Sequence, residues 1–206
     1  HNIEAWPNAR VKIVVTSCSD GYHAFKRLYP EVGSKFMVMH TVEFICRLIN
    51  EGKLRFSKVI PMTVTYHDPC HLGRRGEPYI PWEGVEKKIR GQIVLHEPRK
   101  PRYNGVNGVY EPPREVLKRI PGLKLVEMER VKEYAWCCGS GAGVKDAYPD
   151  FSLWTAGERI EEAKSTGAEA IVTACGWCER NFADAICKNE EKIKIYDIIE
   201  LVQQAL

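Results

Sequence analysis

Four short runs rich in β-branched and aliphatic residues, Val11–Ser17, Met62–Tyr66, Lys124–Met128 and Glu169–Ala174, alternate with stretches of helical periodicity. That alternation is the pattern of parallel strands joined by crossover helices, and runs this continuously apolar suit strands covered on both faces. The chain is expected to be α/β, with parallel sheets flanked by helices. Helices are expected over Tyr22–Tyr29, Thr41–Asn50, Arg114–Ile120, Phe151–Thr166, Glu179–Lys188 and Asp197–Ala205. Pro149 and Asp150 start the fourth and Gly167 stops it. With 206 residues, 44% of them hydrophobic and 28% charged, disorder and collagen are excluded. Such a length buries about 70% of the unfolded chain's surface, so disulfide staples are not needed.

Thirty Lys and Arg against 27 Asp and Glu give a net charge of +3, too small to point to nucleic acid. The longest apolar stretches, such as Phe36–Ile49, are broken by His40, Glu43 and Arg47, and none reaches the ~20 residues of a bilayer span. The sequence starts at His1 with neither Met nor an apolar signal region, which is expected of a chain trimmed, tagged or cut from something longer. At a fixed offset of 157, Val14–Ile49 aligns without a gap to Ile171–Leu206. Val15, Thr16, Cys18, Phe25, Lys35 and Glu43 meet Val172, Thr173, Cys175, Phe182, Lys192 and Glu200. We read residues 1–50 as the back half of a first repeat unit and 51–206 as a second, fuller unit. Two ordinary strand-helix-strand-helix segments alike by chance are the alternative. Seven of the twelve prolines lie between Pro78 and Pro121, and residues 74–105 form a loop-like insertion with eight Lys and Arg against four Glu. It is either a solvated loop or a docking or substrate-covering surface.

Eight cysteines in a chain without a signal region point to metal or redox chemistry. Five are spaced tellingly. Cys70 is followed after 66 residues by the adjacent Cys137 and Cys138, then after 36 more by Cys175 and Cys178 in a C-x-x-C. Adjacent cysteines cannot easily bond to each other. They can supply two thiolates to a polynuclear centre, and five thiolates suit a multi-iron site better than a four-ligand zinc. Cys70 and Cys175 each follow a strand, at the carboxyl edge where α/β folds place ligands. Cys178 opens a helix whose positive end favours the thiolate. Gly139, Gly141 and Gly143 in CCGSGAG let backbone amides approach the sulfur atoms.

His67, Asp68 and His71 flank Cys70 in YHDPCHLGRR. His67 and Asp68 suit a structural role, a histidine after a strand often bonding a backbone carbonyl. For His71, proton donation to a departing thiolate and a structural role are balanced. Cys46 and Cys187 fall on apolar helix faces and are expected to be buried. Cys18 matches Cys175, but Gly21 stands where a match to Cys178 is needed, so this half-site is expected to bind no cluster.

HDPCHLGR, PPREVLKRIPG, YAWCCGSGAGV and VTACGWCERNF together resemble the CCG-domain family typified by the B and D subunits of heterodisulfide reductase. The similarity covers residues 58–206, and Val11–Ile49 resembles the tail of a preceding CCG repeat. The resemblance implies an oxidoreductase subunit in which Cys70, Cys137, Cys138, Cys175 and Cys178, with Gly139 beside them, hold one noncubane [4Fe-4S] cluster. There a disulfide or trisulfide borne by a small molecule or a protein would be reductively cleaved, with His71 as proton donor. It implies partners with ferredoxin-type centres and a quinone-reactive membrane subunit, and a cytoplasmic place at the inner membrane face. The long Cys70–Cys137 spacing, the break at Gly21, and GEPYIPWEG and RYNG in the insertion are similar to the K subunit of the membrane complex found with dissimilatory sulfite reductase. The alternatives are an electron-transfer subunit of a lactate, glycolate or glycerol-phosphate dehydrogenase, or a structural zinc scaffold.

Overall fold

The computed structural model describes residues 11–33 and 36–206; residues 1–10 of the first unit and Lys35 of the repeat alignment lie outside them. In chain order the regular elements are β1 (Ile13–Thr16), α1 (Ser19–His23), β2 (Met37–His40), α2 (Thr41–Asn50), β3 (Met62–Tyr66), β4 (Val85–Ile89), β5 (Ile93–Glu97), α3 (Glu111–Arg119), β6 (Leu123–Val126), α4 (Val144–Ala147), α5 (Pro149–Ser165), β7 (Ala170–Thr173), α6 (Gly176–Lys188), β8 (Lys194–Asp197) and α7 (Ile198–Ala205). A π-helical turn, Ala24–Leu28, and a 3-10 turn, Tyr29–Val32, extend α1. The α/β expectation holds: β6, β3, β7 and β8 form a four-stranded parallel sheet in that order, and β1 and β2 a separate parallel pair.

The period of two along β7 explains why helices cover both faces. Ala170 and Val172 join Val64, Tyr66, Leu117 of α3 and Leu201 of α7 in one buried cluster, while Ile171 turns to the other with Ile160 of α5 and Phe182 of α6. Val38 of β2 and Val42 of α2 belong to the first cluster, so the opening segment shares the core of the larger sheet. β3 and β7 are the two central strands, and the carboxyl ends of both open onto the same edge.

Two short strands, β2 and β8, were not expected from the sequence. MVMH and KIYD are four residues each and run directly into helices, too short to show a period. Each ends in a capping box, His40 with Glu43 and Asp197 with Glu200. β1 and β2 stand 157 residues before β7 and β8, the offset that aligns their sequences.

The insertion is not all loop. β4 and β5 pair as an antiparallel hairpin from Val85↔Glu97 to Ile89↔Ile93, turning through residues 90–92 with Arg90 and Gly91 at positive φ. Buried Glu77 closes its base, accepting from the amides of Gly105 at 3.0 Å and Asn107 at 3.1 Å. Among the described residues no helix is long and apolar enough to cross a membrane.

Candidate metal centre

Five sulfur atoms separated by as many as 108 positions meet at the carboxyl edge of the central strands. Their contacts run in one line: Cys70 with Cys137, Cys137 with Cys138, Cys138 with Cys178, and Cys178 with Cys175. All five are free thiols. Cys70 and Cys137 are half-buried at one end, whereas Cys138, Cys175 and Cys178 are buried.

Local structure places each sulfur. His67 extends β3 by donating its amide to Val172 O at 2.8 Å, which sets the turn carrying Cys70 beside β7. Gly139 has φ +84°, and a Cβ there would lie 2.6 Å from Ser152 O. Only glycine lets the Cys137–Cys138 loop press onto α5, and from there its amide reaches Cys137 Sγ at 3.4 Å. No sulfur contact involves Gly141 or Gly143; Gly141 borders the adjoining cavity and Gly143 begins α4.

Helix α6 starts three residues earlier than expected, so Cys175 is its N-cap and Cys178 lies inside the first turn. The thiolate-favouring helix end therefore acts on Cys175, not Cys178. Contact with Cys178, the amides of Cys178 and Trp177, and Ser19 draw the Cys175 thiol down to about 7 against burial. Contact with Cys138 and Cys175, together with burial, pushes Cys178 up. Hydrogen bonding from Cys138 and Cys70 holds Cys137 well below the ordinary thiol range, and the same contacts push both of those neighbours up. Protons are thus shared along the line.

His67 and Asp68 part company. Asp68 is structural: it takes Arg114 Nη1 at 2.7 Å and Nη2 at 2.8 Å, and the Lys132 amide at 2.8 Å. The His67 ring does not bond a carbonyl. Arg159 Nε donates to its Nδ1 at 3.3 Å, Phe182 packs edge-on at 4.8 Å, and Nε2 is buried without a partner among the described residues. A ring nitrogen of His67 lies within 4.8 Å of the Cys138 and Cys178 sulfurs. Burial, then the Arg159 charge, lowers its pKa well below that of free imidazole. Arg159, Asp20 and His23 were missed at the sequence level. Arg159 is fully buried and paired with Glu162 at 2.7 Å, yet in the sequence it is one more charge on a helix.

His71 borders a cavity of about 560 Å³ that Cys70 and Cys137 also line, together with Trp136, Phe151, Trp154, Arg74 and Arg75. Its Nδ1 meets Asp20 of α1, Arg75 Nη1 donates to its Nε2 at 2.8 Å, and its ring stacks on His23 at 5.2 Å. Cys18 is exposed; it caps α1, accepting from the Gly21 amide at 3.4 Å, and takes no part in the line of sulfurs. Cys46 is buried and bonds Glu115 at 3.1 Å. Cys187, expected to be buried, is exposed, because the last turn of α6 runs past the core that Phe182 and Ala185 fill.

Residues 99–183 match the family model of the cysteine-rich CCG domain. Over its whole length the chain is 37% identical to the D subunit of the dihydromethanophenazine:CoB–CoM heterodisulfide reductase of Methanosarcina acetivorans, covering 44% of that protein. It is 32% identical to the probable iron-sulfur-binding oxidoreductase FadF of Bacillus subtilis and 31% identical to the EtfAB:quinone oxidoreductase of Syntrophomonas wolfei, covering 25% and 26% of them. The chain therefore spans less than half the length of these relatives. The printed name of the Bacillus subtilis relative describes that protein as iron-sulfur-binding.

Proposed function

Because this chain contains a cysteine-rich CCG domain and is related along its whole length to the D subunits of heterodisulfide reductases, we propose that it is the cluster-binding part of an electron-transfer subunit in a heterodisulfide reductase-like complex. Cys70, Cys137, Cys138, Cys175 and Cys178 hold one noncubane [4Fe-4S] cluster. The carrying observation is the unbroken line of five thiols, whose Cys70–Cys137 end borders an aromatic-walled cavity. Among the described residues, Nε2 of His67, whose ring lies by Cys138 and Cys178, and Oγ of Ser140, next to Cys138, are buried without partners, which suits a group rich in sulfur acceptors. A single zinc would leave one thiol over.

When bound, such a cluster supplies one-electron redox chemistry and an iron open to a substrate sulfur. The chain supplies the rest. Trp136, Phe151 and Trp154 exclude water and hold apolar parts of a substrate over Cys70 and Cys137, while Arg74 and Arg75 face its polar side. Cleavage of one S–S bond consumes two electrons and two protons and releases two thiols. The electrons come from partner subunits with ferredoxin-type centres and a quinone-reactive membrane subunit, and the basic hairpin insertion is their docking surface. His71 gives one proton to a departing thiolate. Once Arg75 leaves Nε2 for the substrate, that nitrogen takes up a proton from water and passes it to the thiolate, with Asp20 accepting from Nδ1–H; the second proton comes from water directly.

Cys137→Ala should abolish the brown chromophore of anaerobically purified protein and its iron; an unchanged iron count would reject the ligand assignment. His71→Ala should keep the iron and lose disulfide reduction, and unchanged turnover would dismiss the proton-donor role. One zinc per colourless chain purified without air would favour the scaffold reading. Residues 1–50 belong, in this reading, to a degenerate first CCG repeat. The common 157-residue offset of β1, β2 and the two capping boxes supports it.

A further inference from the structure

The cluster-site residue that sequence patterning treats as structural carries its own signature. We infer that His67 is a fixed hydrogen-bond donor to sulfur of the group held by the five thiols, a positioning residue and not a ligand; this rests on the iron-sulfur reading above. A guanidinium has only N–H donors, so the 3.3 Å contact from Arg159 Nε requires the lone pair of His67 at Nδ1 and its proton at Nε2. Arg159 cannot turn away to relax that choice. Its Nη1 donates to Arg130 O at 2.9 Å and pairs with Glu162 at 2.7 Å. Edge-on packing against Phe182 holds the ring plane.

Nε2–H is then buried with no acceptor among the described residues, at a site where Cys138 and Cys178 sulfurs lie within 4.8 Å of the ring. A buried unsatisfied donor is costly, and thiolate or inorganic sulfide is the acceptor such a centre provides. Ligation of iron by the same atom would move the proton to Nδ1, against the Arg159 N–H. The two nitrogens therefore have separate jobs: one is locked by the buried arginine and the other is left free to donate. A donor to cluster sulfur stabilises the more negative, reduced state and raises the reduction potential.

The test uses the full chain, purified anaerobically with its iron. His67→Leu removes the donor, and His67→Gln can accept from Arg159 at one end of its amide while donating at the other. The Leu variant should keep its iron, and its reduced-to-oxidised ratio at a fixed potential should fall about tenfold, 59 mV for one electron. Electron-nuclear double resonance in D2O should show an exchangeable proton coupled to the wild-type centre, absent in Leu and regained in Gln. Should the Leu chain not fold, Arg159→Met, which frees the proton to move to Nδ1, should shift the potential the same way. An unchanged potential with the coupling intact overturns the donor role alone. A directly bonded nitrogen coupling overturns it in favour of ligation. Wild-type protein without iron sinks both this inference and the function it rests on.

Discussion

Replacing Asp68 by Ala tests whether the two cysteine loops are fastened by one buried carboxylate. Asp68 and Arg114 are 1% and 3% exposed at their side chains, and Asp68 accepts three hydrogen bonds, two from the guanidinium and one from the Lys132 amide. Burial pulls the Arg114 pKa down, but the Asp68 and Glu127 carboxylates more than offset it and hold it above its ordinary value. Removing one partner of a buried ion pair costs about 3–5 kcal/mol, because the other charge is left behind. Here Glu127 keeps its bonds to Nε at 2.7 Å and Nη2 at 3.0 Å, which argues for the low end. The stranded Lys132 amide adds about 1 kcal/mol unless water reaches it. We expect a loss of about 3–4 kcal/mol in urea unfolding of the reduced apoprotein, or roughly 6–16 °C in Tm for a domain of this size. Asp68→Leu with Arg114→Met should recover most of it, since no buried charge then remains. Asp68 lies two residues before Cys70 and Lys132 five before Cys137, so iron content should fall with the single substitution. A loss under about 1 kcal/mol, or a double variant no more stable than the single, would refute the reasoning.

Burial lowers the His40 pKa to about 4 against the 6.5 of the unfolded chain. The unfolded state takes up that proton first, so His40 contributes fully above about pH 6.5 and loses up to about 3 kcal/mol as pH falls toward 4. His40→Asn, which keeps an acceptor for the Val42 amide, should lose less stability than wild type between pH 7.5 and 4.5; equal losses would show that the imidazole is not responsible. Gly139→Ala places a Cβ 2.6 Å from Ser152 O at φ +84°, and should cost about 2–3 kcal/mol and most of the iron; full iron loading would contradict the packing argument. Native alkylation should label exposed Cys187 and spare buried Cys46, whose thiol burial and Glu115 push up to about 11; equal labelling would contradict both placements.

Strands and helices with many residues per period were legible in the sequence. β3 and α2 have the expected bounds, because MTVTY is nearly continuous in strand formers and TVEFICRLIN has one apolar stripe. β2 and β8 were not, since four residues before a helix carry no readable period. The hairpin β4–β5 was hidden by its exposure: with no face in the core, VEKKI and IVLHE group their polar and apolar residues in runs instead of alternating them.

The amino-acid order alone determined the α/β class and singled out the five cysteines that meet, because short-range periodicity and residue spacing are local properties of a chain. Tertiary structure decided which donors join them. Arg159 reaches His67 across 92 positions and Asp20 reaches His71 across 51. Such partners are chosen by where two elements pack, and whether a charge is buried and which nitrogen of a histidine carries its proton are settled only by those neighbours.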